Sequence, residues 1–140
     1  MPSVVEAAMT RTRLLVGRLP LEGCLWREHS GKELACPLCG HSKEDVIHFL
    51  ATCPSLDRVR SHQIEKLTNM WTQIGIIPPQ TPTEIASALL NGDRYYPDSR
   101  DGVVMLRSLN IEAHRLASST CHKLWVERDH CLNDKIMANL

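Results

Sequence analysis

The chain has 140 residues, with 16 Lys and Arg against 16 Asp and Glu, six cysteines, seven histidines and only 4% aromatic residues. Zero net charge removes bulk attraction as an argument for nucleic acid or an anionic surface. No run of 18 apolar residues is present to span a bilayer, and Glu6 interrupts any secretory-type leader, so an intracellular setting, nucleus or cytoplasm, is expected. The apolar residues are mostly Leu, Ile, Val and Ala, which favours an all-α protein.

In chain order, Ser3 and Glu6 have the S-x-x-E spacing of a capping box and predict a helix to about residue 16. Pro20 opens a second short helix over 21–28, with Leu21, Leu25 and Trp26 on one face and Ser30-Gly31 ending it. Residues 34–40 form a knuckle around Cys36-Pro37-Leu38-Cys39-Gly40. Pro37 has no N–H, so Leu38, Cys39 and Gly40 must supply the donors that point at the first sulfur, and Gly40 supplies a positive φ. Ser42 and Asp45 again have capping spacing, which predicts a helix over 43–52 carrying His48.

Five residues of α-helix rotate by about 500°, leaving His48 and Cys53 roughly 140° apart. They cannot face one point from a continuous helix. Pro54 disfavours helical dihedrals at Cys53 and suits the first turn of a new helix, so Cys53 is expected at a break. From 55 to 73, Leu56, Val59, Ile64, Leu67, Met70 and Trp71 recur at helical spacing, and Ile74 continues the series. A proline-rich linker follows. Thr81, Pro82 and Glu84 cap another short helix that stops at Asn91-Gly92. After a polar loop, 101–132 reads as one long helix with Val103, Leu106, Leu109, Ala113, Leu116, Ala117, Cys121, Leu124 and Trp125 on its apolar side. The expected organisation is a zinc-knuckle helical domain over 1–75 and a helical appendage over 76–140 packing on it.

The chemistry concentrates in Cys36, Cys39, His48 and Cys53, spaced C-x2-C-x8-H-x4-C. Three thiolates and an imidazole are the donor number and type of a closed tetrahedral Zn²⁺ site, with no position left for a reactive water. His41, two residues past Cys39, is the competing ligand. A redox dithiol belongs at a helix start after a strand, whereas this pair precedes a glycine turn. Cys24, Cys121 and Cys131 read as free thiols on apolar helix faces. His114, His122 and His130 recur every eight residues, which drifts around a helix and does not suggest a second metal.

Arg11, Arg13 and Arg18, with Arg27, Lys32, Arg58 and Arg60, can line one surface around the knuckle. Residues 10–62 nevertheless hold eight Lys and Arg against six Asp and Glu, and three thiolates on zinc add a formal −1. No aromatic stacking platform is evident, since Trp26 reads as core. Charge alone favours solvated helix faces over a nucleic-acid surface.

RTRLLVGRLPLEGCLWR, CPLCGHSKEDVIHFLATCP and LDRVR together resemble the zinc-binding region downstream of the reverse transcriptase in non-LTR (LINE-type) retrotransposon polyproteins. Members of that family show an R-T-G-H-like stretch, a short helix, C-x2-C, an acidic pair, H-x4-C and a proline. Arg11 to Arg18, Glu44-Asp45, Cys36, Cys39, His48, Cys53 and Pro54 match this order over about residues 11–60. Arg18 stands where the family often has histidine, and there is neither room for a polymerase nor a Tyr-x-Asp-Asp string. The resemblance implies an accessory module and no enzyme, with RNA or single-stranded DNA as partner and Arg11, Arg13, Arg18, Lys32 and Lys43 on phosphates. The alternative is a zinc-stabilised module that docks to protein through its apolar helix faces.

Overall fold

The computed structural model describes residues 3–15, 21, 35–75, 77–90 and 104–138; these form helices and turns, with no strand among them. The first helix, α1 (Val4–Leu15), starts where the capping box places it. The Glu6 N–H donates to Ser3 Oγ at 3.0 Å and the Ser3 N–H to Glu6 Oε2 at 3.3 Å. Each bond satisfies a first-turn donor that has no partner inside the helix. Ala7, Thr10 and Leu14 form its buried stripe.

Residues 46–52 make a short helix whose last five, His48–Thr52, widen into a π-type turn. A 3-10 turn over Pro54–Leu56 then leads into α2 (Asp57–Ile74). The expected helix over 55–73 is thus entered through a tighter turn headed by proline. Gly75 closes α2 in the left-handed conformation, φ 88°, with its N–H donating to Thr72 O at 3.1 Å. The cap of α3 (Pro82–Leu90) is reciprocal: Glu84 N–H donates to Thr81 Oγ1 at 3.2 Å and Thr81 N–H to Glu84 Oε2 at 3.4 Å. The final helix, α4 (Val104–Ala138), has 35 residues and outruns the expected 101–132 at its C-terminal end.

The long α4 is the spine, with α1 and α2 packed along it and α3 bridging to α1 and the π-turn. Ala113, Ala117, Cys121 and Leu124 of α4 share one core with Leu14, Phe49, Leu50, Leu67, Trp71 and Leu89. Small side chains at four-residue spacing let neighbouring helices approach α4 closely. Residues from both 1–75 and 76–140 build this core. Trp125 sets its ring edge-on to Phe49, with centroids 6.1 Å apart and planes at 81°. Among the described residues no helix is long and apolar enough to cross a membrane. The expected helix over 21–28 (all but Leu21, which is buried), Arg18, Cys24, Trp26, Arg27, Lys32, the loop over 91–102 and the side chains of Val103, Leu106 and Leu109 lie outside the described residues.

Nothing lies within 4 Å of where a Cβ on Gly75 would stand, so the need for glycine there is conformational. Gly75→Ala should lower stability by about 1–2 kcal/mol and Gly75→Asn by less, read by urea denaturation. Equal midpoints for all three proteins would remove the cap from the account.

Candidate metal centre

Two short segments deliver the four donors. In the first, the Cys36–Cys39 turn closes with the Gly40 N–H donating to Cys36 O at 2.9 Å and the Cys36 N–H to His41 O at 2.8 Å. Gly40 has the expected positive φ, 78°. One expectation is corrected: the Gly40 N–H serves the Cys36 carbonyl, and the donors directed at the Cys36 sulfur are Leu38 and Cys39. A carbonyl facing back into so tight a turn captures the donor nearest to it.

The second segment differs from the expected helix over 43–52. Its cap is Asp45, whose Oδ1 accepts the His48 N–H at 2.8 Å, so helical residues begin at Val46. The 140° problem is solved twice over. Cys53 is extended (φ −61°, ψ 117°), as Pro54 demands, and its N–H reaches His48 O at 2.8 Å, an i→i+5 bond. That wider turn brings residues five apart closer to one face than an α-helix does. The carbonyls left over are taken by Arg60: Nε donates to Leu50 O at 2.9 Å, and one terminal nitrogen to Cys53 O at 2.9 Å and Phe49 O at 3.3 Å.

The result is one point of convergence. The sulfurs of Cys36, Cys39 and Cys53 and a ring nitrogen of His48 all lie within 4.8 Å of one another. Cys36 and Cys53 sulfurs are 3.9 Å apart, and Cys39 sulfur is 3.3 Å from His48 Nε2. Ligands at about 2.3 Å from a tetrahedral zinc would stand about 3.8 Å from each other, so the donor set fits such an ion. Cys36, His48 and Cys53 are buried, and Cys39 is the most open of the four. Among the described residues this is the one group of three or more His, Cys, Asp or Glu side chains whose donors converge in this way.

His48 is oriented from behind. Its Nδ1 lies 3.0 Å from Thr52 Oγ1, and that hydroxyl in turn donates to His48 O at 3.4 Å. With Nε2 ligating an ion, Nδ1 would carry the ring proton and Thr52 Oγ1 would accept it, the outer-shell device common to ligating histidines. His41 is not a ligand. It stacks flat on His48, centroids 4.5 Å apart and planes 7° from parallel.

Burial dominates the electrostatics. It pushes the Cys36 thiol up to about 12, opposed by the Cys39 and Leu38 N–H groups; it also raises Cys53 and lowers His48. All three groups are held toward their neutral forms, and a cation must displace the thiol protons to bind. Two arginines stand where they would balance the negative charge that metal binding brings. Arg60 sits against the Cys53 carbonyl, and Arg128 of α4 pairs with Glu44 through two bonds, Nε to Oε2 at 2.8 Å and a terminal nitrogen to Oε1 at 2.6 Å. Glu44 is 1% exposed and Arg128 4%. Cys36 Sγ lies 3.8 Å from Glu44 Oε2, so this pair touches the metal site, while Arg128 also lies 5.2 Å over the Trp125 ring. Lys135 adds a second strap, its Nζ donating to Pro37 O at 3.0 Å and Leu38 O at 2.7 Å.

These straps leave no signal in the sequence. Glu44 reads as half of an acidic pair, and nothing in residues 128 and 135 points to a partner some 84 or 98 positions away. Two arginines of the expected basic surface are also placed differently. Arg60 is buried under the π-turn, and half-buried Arg11 directs its Nε to Leu89 O at 2.6 Å, tying α1 to α3. Arg13, Lys43 and Arg58 are exposed. Cys121 and Cys131 are free thiols, as expected; Cys121 is fully buried and pushed up to about 12 by that burial. No protein-family model, curated protein or solved structure matches the chain.

Removing one member of a buried ion pair leaves an uncompensated charge and typically costs ~3–5 kcal/mol, whereas replacing both members can be near neutral. Arg128→Met should therefore destabilise by that order, and Glu44→Leu combined with Arg128→Met should recover much of the stability in thermal melts. Additive destabilisation would deny the pairing. Thr52→Val should weaken metal affinity by about 10–100-fold in a chelator competition, without displacing the ligands.

Proposed function

We propose that the four donors hold one Zn²⁺ as a structural clasp in a non-catalytic module, and that the module contacts RNA or single-stranded DNA. The observation that carries the first half is the closed donor set, three sulfurs and one imidazole nitrogen within 4.8 Å. Four protein ligands leave no vacant position at which water or substrate would be activated. Such a site contributes folding free energy, about 10–16 kcal/mol in small zinc peptides, and here it would lock the turn at 36–39 to the His48–Cys53 segment.

The second half is supported by the resemblance of residues 11–60 to the zinc-binding region of LINE-type retrotransposon polyproteins, the chain being a part of such a polyprotein or a protein derived from one. It also draws on cations that remain at the surface. Arg13 and Lys43 are exposed and free of the internal roles that hold Arg11 and Arg60. A protein-docking reading has one observation in its favour. Val4 and Val5 on α1 are 64% and 67% exposed and, with Met9, line a shallow apolar surface on its outer side.

Native mass spectrometry of protein purified without chelator should show one zinc per chain, removed together with helical content on treatment with EDTA. Affinity for a single-stranded RNA should fall with salt, with a log–log slope of several units. Metal-free folded protein would sink the clasp. A flat salt profile, with self-association in size-exclusion chromatography, would move the balance to protein docking.

A further inference from the structure

Helices α2 and α4 leave between them an open groove of about 720 Å³. Arg58, His62 and Gln63 line its α2 wall, and His122, Lys123 and His130 its α4 wall. Arg58 and His62 are one turn apart on α2, so both side chains share one face. Arg58 also lies two residues before Arg60, about 200° around the helix. With Arg60 turned into the π-turn, that rotation sends Arg58 away from the metal centre and into the groove.

Three properties of the groove point to its occupant. It presents two permanent cations against one carboxylate, Glu127, which also accepts from its own helix neighbour Cys131 at 3.8 Å, so the formal charge of its lining is positive by one. It presents flat imidazoles, which can stack on bases as other aromatic rings do. The third is an unmet acceptor: Gln63 is 2% exposed, and its Oε1 is buried with no hydrogen-bond partner among the described residues. A buried acceptor without a donor carries a free-energy cost that a ligand N–H entering the groove would relieve.

We infer that this groove seats a single strand of nucleic acid. Phosphates lie on Arg58 and Lys123, bases stack on His62 and His130, and a base N–H donates to Gln63 Oε1. A duplex has its bases stacked and paired, and only a single strand can offer a splayed base to a groove between two helices. The inference rests on the nucleic-acid reading above and places its main contact away from the zinc knuckle.

The test is fluorescence anisotropy of zinc-loaded full chain with a labelled, mixed-sequence single-stranded RNA of about 15 nucleotides. The Arg58→Ala/Lys123→Ala double variant should bind roughly tenfold or more weakly, with the salt slope smaller in magnitude by about 1.4, about 0.7 for each phosphate no longer neutralised on a single strand. Lys66→Ala/Arg115→Ala removes two cations of the adjoining pocket, neither of which lines the groove, and should bind like the wild type. Gln63→Met, of similar volume, should weaken binding severalfold while circular dichroism shows the fold retained. Equal weakening in both double variants, or wild-type affinity in Arg58→Ala/Lys123→Ala, overturns the groove and leaves the nucleic-acid reading standing. Absence of salt-sensitive binding by the wild type takes down both.

Discussion

Four side chains from an 18-residue stretch must meet within 4.8 Å, and the rest of the architecture accommodates that demand. A regular helix through His48 and Cys53 forbids it. The chain yields at two places, the i→i+5 turn that ends at Cys53 and the extended backbone that Pro54 imposes there. Both leave carbonyls without helical partners in a buried place, where an unmet acceptor is costly. Arg60 is the answer: one guanidinium takes the carbonyls of Phe49, Leu50 and Cys53. The position of Arg60, one turn into α2, follows from where the proline restarts the helix.

Charge is the second constraint. Three thiolates around a divalent ion would leave a formal −1, and Glu44, buried 3.8 Å from Cys36, would add another. Arg60 and Arg128 bring the same number of positive charges to the same neighbourhood. The consequence reaches beyond the site. Arg128 lies in the second half of α4, so neutralising the metal centre also fixes the long helix to the knuckle, and Lys135 repeats that attachment nearly two turns later. A local ligand set thereby becomes a tertiary fastening.

The same economy explains why the basic residues of 11–60 do not form a continuous surface. Arg11 and Arg60 face inward because each satisfies a main-chain carbonyl at a helix end, Leu89 O of α3 in one case and the π-turn carbonyls in the other. Arg13 and Arg58, each two residues from one of them, face outward by helical rotation. Which cations serve the fold and which face solvent is a matter of register, invisible in a count of charges.

The local grammar was legible. The Ser3–Glu6 and Thr81–Glu84 caps, the Gly40 turn and the Pro54 break depend on residues within a few positions of one another, where spacing and dihedral preference decide the geometry, and the ligand set falls within one 18-residue stretch. For the His48 helix, Ser-x-x-Asp spacing makes Ser42 the expected cap, and only the fold chooses Asp45. What tertiary structure decided were pairings over long separations: Glu44 with Arg128, Lys135 with the knuckle carbonyls, Arg11 with Leu89, and the meeting of Arg58 with Lys123 across a groove. Periodicity states which face of a helix is apolar, but not which other helix that face meets. Side chains tens of residues apart acquire partners only once the helices have chosen their neighbours around α4.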